Sequence, residues 1–138
     1  MCILNDALKP DFRYIVKQRG GMLAKGWLLG VQFEELFTGD LYAQLGAHAN
    51  AMALRLRAGL AALGVPFAAP SDSNQQFPIL PNAVLDRLRP DFHWEQQGTP
   101  DAGHTCIRLV TSWATREEAV SAFLLAVERA LGGCPACL

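Results

Sequence analysis

Long apolar runs, paired histidines and glycine-rich nucleotide fingerprints are all missing from this 138-residue chain. The uncharged run GWLLGVQF is far too short to cross a bilayer. His48 has no second histidine three or four residues along, so no helical metal pair forms there. No P-loop and no dinucleotide-binding glycine pattern occurs. There is also no G-x-S-x-G, so Ser112, His48, His93 and His104 make no recognisable nucleophile motif. Serine, cysteine and metal catalysis are therefore not indicated. A strong charge of either sign is absent too: the net charge is −1, which provides no field for nucleic acid or an acidic membrane. The opening MCILNDALKP lacks a basic start and a small-residue cleavage site, and the four cysteines are scattered. The expectation is a soluble, reducing, cytoplasmic setting.

What is present is a one-domain length with 51% hydrophobic residues, ample for a core. MCILNDAL reads as the end of a buried strand with its outgoing turn. Pro10 and Asp11 suit the start of a helix, with proline near the first turn and an acid at the positive end. Gly20 and Gly21 interrupt it, and MLAKGWLLGVQFEELF resumes as an apolar helix with Gly26 and Gly30 placed for close packing. The clearest helix follows. Asp40 can cap it, Leu41, Leu45, Met52, Leu56, Leu60 and Leu63 form its apolar stripe, and Gly64 and Pro66 stop it. His48 lies on or near that stripe and reads as a packed or partner-facing side chain.

From Val65 the texture changes to strand, helix, strand, strand, helix. The short helix NAVLDRLRP is ended by Pro90, FHWEQQ alternates as a strand, and GTPDAG is turn-rich. Thr115 and Glu118 have the spacing of a capping box for the last helix, whose apolar face is Ala119, Phe123, Leu124, Val127 and Leu131. The expected class is α+β, with a small antiparallel sheet covered by helices on one face.

Within HTCIRLVTSW, Arg108 stands in a run that otherwise reads as a buried strand. A guanidinium is seldom taken out of water without an anion or several acceptors. The nearest carboxylates in sequence, Asp101 and Glu117, lie outside the strand, so the partner is a distant acid or a ligand. A bidentate fork would suit a carboxylate. A second basic group, from Lys17 through Arg19 to Lys25, either forms a solvated helix face or contacts a phosphate. Such a pair suits a phosphate-bearing cofactor together with a substrate acid. CPAC, at Cys134 and Cys137, lacks the second ligand pair of a zinc site and reads as a tail.

DFRYIVKQRGGMLAKGWLLGVQFEELF, AHANAMALRLRAGL, NQQFPILP and HTCIRLVTSWATREEAVSAF together resemble the C-terminal part of low-specificity L-threonine aldolases. These are pyridoxal-phosphate (PLP) enzymes of the aldolase and β-eliminating lyase group with the aspartate-aminotransferase-like fold. The resemblance spans about residues 3 to 131. It implies interdomain helices over residues 1–64 and a small C-terminal α/β domain over 65–138, without the large cofactor-binding domain. It implies that Arg108 holds the substrate α-carboxylate. It also implies that Lys17, Arg19 and Lys25 lie near the cofactor phosphate or a subunit interface. Many relatives carry an arginine after G-G-M where this chain has Leu23, so the phosphate role would fall to Lys25 or Arg19.

The implied activity is cleavage of L-threonine or L-allo-threonine to glycine and acetaldehyde by an oligomeric enzyme, with no nucleic-acid or membrane partner. Lys9, Lys17 and Lys25 are the only lysines, and none sits in the glycine-containing loop that carries the PLP lysine of relatives. The chain alone is therefore expected to be inactive. Two other readings stand beside this one: a non-catalytic remnant that associates with a full-length relative, and part of another amino-acid β-eliminating lyase.

Overall fold

The computed structural model describes residues 3–133, and the chain divides into two compact units, Met1–Leu41 and Tyr42–Leu138. The CPAC motif lies outside the described residues.

The first unit is helical. A 3-10 turn, Asp6–Leu8, is capped by the Asn5 side chain, which accepts from the Ala7 N–H at 3.0 Å. The expected buried strand at MCILNDAL is therefore absent from its described part, and Leu4 is 90% exposed. An isolated extended segment has no neighbour for its backbone groups, and the asparagine offers a local turn instead. Helix α1 (Phe12–Gln18) starts beyond Pro10, with Asp11 left-handed at φ 54°. It ends at the glycine pair: Gly20 adopts φ 74°, and the Gly21 N–H donates back to the Val16 carbonyl at 2.8 Å. Helix α2 (Trp27–Phe37) follows, and neither helix has a buried residue. Within the described residues an added Cβ at Gly30 would meet nothing within 4 Å, so no helix of this chain packs on it.

The second unit holds the core. Helix α3 (Leu41–Ala62) buries Ala49, Met52, Ala53, Leu56 and Leu60, close to the expected stripe. Its end is a Schellman stop: Gly64 sits at φ 78°, Gly64 N–H donates to Ala61 O at 3.0 Å, and Val65 N–H donates to Leu60 O at 3.0 Å. The strands are β1 (Gln75–Gln76), β2 (Ile79–Pro81), β3 (Glu95–Asp101) and β4 (His104–Val110), all antiparallel around β4. β1 and β2 share one continuous register against β4 and are separated only by Phe77 and Pro78. Pro78 has no N–H to give, yet its carbonyl still accepts from Ile107 N–H at 3.0 Å. β3 flanks the other edge of β4.

Helices α4 (Asn82–Leu88) and α5 (Glu117–Gly132) complete the expected strand, helix, strand, strand, helix order. Ile107 and Leu80, both fully buried, share one core with Val84, Leu88, Phe123 and Val127. Phe92 meets Phe123 edge-on at 5.1 Å, a favourable aromatic geometry. α3 and α5 approach closely at Gly59, where a Cβ would fall 2.4 Å from Leu124 Cδ1.

Two details of α5 differ from expectation. Its N-cap is Arg116 with no side-chain cap, so the Thr115–Glu118 box does not form. The Thr115 hydroxyl instead accepts from Ser112 N–H at 2.8 Å, closing a tight turn before the helix. The expected face otherwise holds, with Phe123 and Val127 buried and Leu124 and Leu131 packed against the core, but Val120 is inside and Ala119 exposed.

Candidate functional site

Arg108 lies in β4 between Ile107, which enters the core, and Leu109, which packs against it. Alternation turns the arginine away from that core. Its side chain is 32% exposed, so it is half-buried rather than fully enclosed. The acid it requires is Glu95, thirteen residues upstream and directly across the β3–β4 pair. Arg108 Nη2 donates to Glu95 Oε2. The two nearer acids are engaged elsewhere: Asp101 binds His104, and Glu117 binds Arg55.

The hairpin register explains this choice. Asp101 pairs with His104, and an unbroken ladder from there would set Gln97 opposite Arg108. Two irregularities, between Asp101 and Gly98 and between Gly98 and Gln96, each shift the register by one residue. One bulge would reverse which face a side chain occupies, whereas two restore it. Glu95 consequently stands beside Arg108 on the same face.

A buried donor of the guanidinium has no partner. Arg108 Nε is buried and has no hydrogen-bond partner. An unsatisfied buried donor is costly, of order 1–3 kcal/mol. The arginine borders a cavity of about 170 Å³ shared with His93, Thr111, Thr115, Val120 and Phe123. The surrounding elements are tied to α3 and to the segment before β1. Thr111 Oγ1 donates to Ala49 O at 2.7 Å, and His48 Nε2 donates to Thr115 O at 2.8 Å. Asn74 Nδ2 donates to Thr111 O at 2.7 Å, while Thr111 N–H returns a bond to Asn74 O at 3.0 Å. Arg55 reaches Glu117 and, at 3.3 Å, Ser121 on α5. His48 is thus an exposed tie to a carbonyl rather than part of the apolar stripe.

Two other titratable groups are perturbed. The Asp101 carboxyl is held below its ordinary value by the hydrogen bond from His104 Nδ1 at 2.9 Å and by Gly103 N–H at 2.7 Å. Burial pushes the Cys106 thiol up. Cys106 lies beside a second, open cleft of about 620 Å³ whose other walls include Ala68, Phe77, Ile79 and Pro100. That cleft has no charged lining residue.

Lys17, Arg19 and Lys25 all lie in the first unit, are exposed, and form no ion pair among the described residues. Lys17 borders an open cleft of about 260 Å³ with Arg13, Tyr14 and Met22. Glu95 and His93 are the site residues that sequence reasoning missed. Their signal was alternation in HWE, but setting Glu95 opposite Arg108 required the bulges, and His93 shares only the cavity wall. Among the described residues no group of three or more His, Cys, Asp or Glu side chains could hold a metal ion, and no helix is long and apolar enough to cross a membrane.

No protein-family model and no curated protein matches the chain. A solved structure of Leishmania major threonine aldolase does, with 50% sequence identity and a TM-score of 0.84 over 92% of this chain. This chain is a relative of the threonine aldolases. It spans 37% of the length of that aldolase. Sphingomonas wittichii serine palmitoyltransferase shares the fold at 22% identity and a TM-score of 0.52, over 61% of this chain and 23% of its own. A structure of SPT with a PLP internal aldimine does so at 18% identity and a TM-score of 0.50, over 61% and 25%. The threonine aldolase relative thus has the architecture of the C-terminal domain of a fold-type-I PLP enzyme.

Proposed function

We propose that this chain is the substrate-carboxylate-binding part of a PLP-dependent threonine aldolase. That enzyme would cleave L-threonine or L-allo-threonine to glycine and acetaldehyde. The observation that carries the reading is Arg108. It is rooted in a strand whose neighbours are fixed in the core, and it keeps a buried donor unspent beside a small cavity. An α-carboxylate fits such a donor by the bidentate geometry that guanidinium favours. Fifty per cent identity to a threonine aldolase over nearly the whole chain supports the same substrate class.

The described residues do not compose a PLP site by themselves. Residues 42–138 contain no lysine, and the three lysines of the first unit are exposed. PLP, when bound by the longer enzyme, supplies an electron sink for the substrate's Cα. The role assigned to this chain is to bind and orient the amino acid's carboxylate through Arg108. Lys17, Arg19 and Lys25 are proposed for the cofactor phosphate or a subunit interface, which their exposure and lack of ion pairs permit. Residues 1–64 would link to the cofactor-binding domain and 65–138 would form the small domain of a cytoplasmic homo-oligomer. The 138-residue chain alone would not cleave threonine.

Arg108→Ala in the PLP-loaded enzyme that contains this chain provides the test. Loss of a desolvated charge pair is worth roughly 2–5 kcal/mol, so KM for L-threonine should rise at least about 30-fold while PLP absorbance is retained. An unchanged KM would overturn the assignment. A second reading, a non-catalytic partner of a full-length relative, draws on the exposed apolar side chains of α2, among them Trp27, Phe33 and Phe37.

A further inference from the structure

Glu95 does more than neutralise a strand arginine. We propose that Glu95 is a built-in competitor, an internal carboxylate that occupies Arg108 when the site is empty and must be displaced by the substrate's carboxylate. The inference rests on the reading of Arg108 as a carboxylate anchor.

Three observations carry it. First, the contact is made by a single nitrogen: Arg108 Nη2 reaches Glu95 Oε2, while Nε is buried without an acceptor. A carboxylate that engaged both Nε and Nη2 would satisfy the guanidinium's side edge, as Glu95 does not. In the paired state Nε is closed off, so Arg108 must turn out of that position to offer this edge. Second, Glu95 is 66% exposed, and ion pairs this open to water are weak and readily exchanged. Third, the pairing is built by the backbone. Two bulges in β3 are needed to bring Glu95 rather than Gln97 opposite Arg108, and no other residue of the chain forms an ion pair with that arginine among the described residues. A negative charge at Nη2 also opposes any arriving anion. Glu95 therefore acts on the affinity for amino-acid carboxylates and on the position of Arg108, and it does not touch the reacting atoms.

The experiment uses the ¹⁵N-labelled 138-residue chain and follows the arginine Nε–H resonance that Arg108→Lys removes. L-threonine is titrated into wild type, Glu95→Gln and Glu95→Ala, with L-threoninol, which has no carboxylate, as the control. Both Glu95 variants should bind L-threonine several-fold more tightly than wild type, L-threoninol should cause no shift, and Arg108→Lys should lose the response to L-threonine at the neighbouring backbone amides. Equal or weaker binding by the Glu95 variants, with a wild-type response at Arg108, overturns the competitor role and leaves the anchor standing. No response at Arg108 in any of the three proteins overturns both. Because Glu95 is largely solvated, its variants are expected to keep the fold. A wild-type backbone amide spectrum away from the site confirms that the comparison is between folded proteins.

Discussion

The two units of this chain use a similar stock of apolar residues to opposite ends. In the first unit Phe33 and Phe37 stack at 6.2 Å along α2, and both remain more than 60% exposed. In the second unit Phe92 and Phe123 meet edge-on, and Phe123 is only 7% exposed. A hydrophobic helix thus stabilises nothing until another surface covers it, whereas helices packed on a sheet remove each other's apolar area from water. The consequence for function is direct. Arg108 is held by a real core, while Lys17, Arg19 and Lys25 stand on α1, at its end and in the turn before α2, where neither helix has a buried residue.

The sharpest break in this comparison should come from paired truncations. Leu60→Ala removes a fully buried side chain and should cost about 2–5 kcal/mol, whereas Phe33→Ala should stay within about 0.5 kcal/mol. Urea unfolding of the 138-residue chain measures both. Equal losses would mean that α2 is buried after all. A smaller effect is expected at the Schellman stop. Gly64→Ala forces an L residue to φ 78° with no clash to blame, and should cost about 1–2 kcal/mol. Gly64→Asn should recover part of it.

The ties around the site come next. A double-mutant cycle on Arg55 and Glu117, both about half exposed, should return a coupling below about 1 kcal/mol, because solvent screens the pair. A coupling of several kcal/mol would make that tie a principal support of the cavity. The weakest effect concerns the β3–β4 turn. Asp101 is depressed in the folded state by His104, so its contribution is present above the ordinary aspartate value of 3.8 and is lost as pH falls through the lower folded value. The stability difference between wild type and Asp101→Asn should therefore shrink between about pH 6 and about pH 2. A difference that grows with acid would reverse the sign.

Much of the second unit was legible from local chemistry. The 3.6-residue periodicity of α3, its Gly64 stop and the succession of elements after Val65 depend on neighbours in sequence, and each appears in the structure. The failures have a common cause. MCILNDAL needed a partner strand to be a strand, and Thr115 had two possible uses, of which the turn with Ser112 prevailed over the helix cap. In both, one local hydrogen bond prevailed over another local preference.

Arg108 shows where the division falls. An arginine inside an otherwise apolar strand required an anion, because a desolvated guanidinium costs free energy wherever the strand lies. Which anion answers that need was beyond any local pattern. Glu95 meets Arg108 only because two bulges move the register by two residues, and the stability of a bulge is set by packing across the whole sheet. The same tertiary arrangement buries Nε without a hydrogen-bond partner among the described residues, which no local pattern could have foretold.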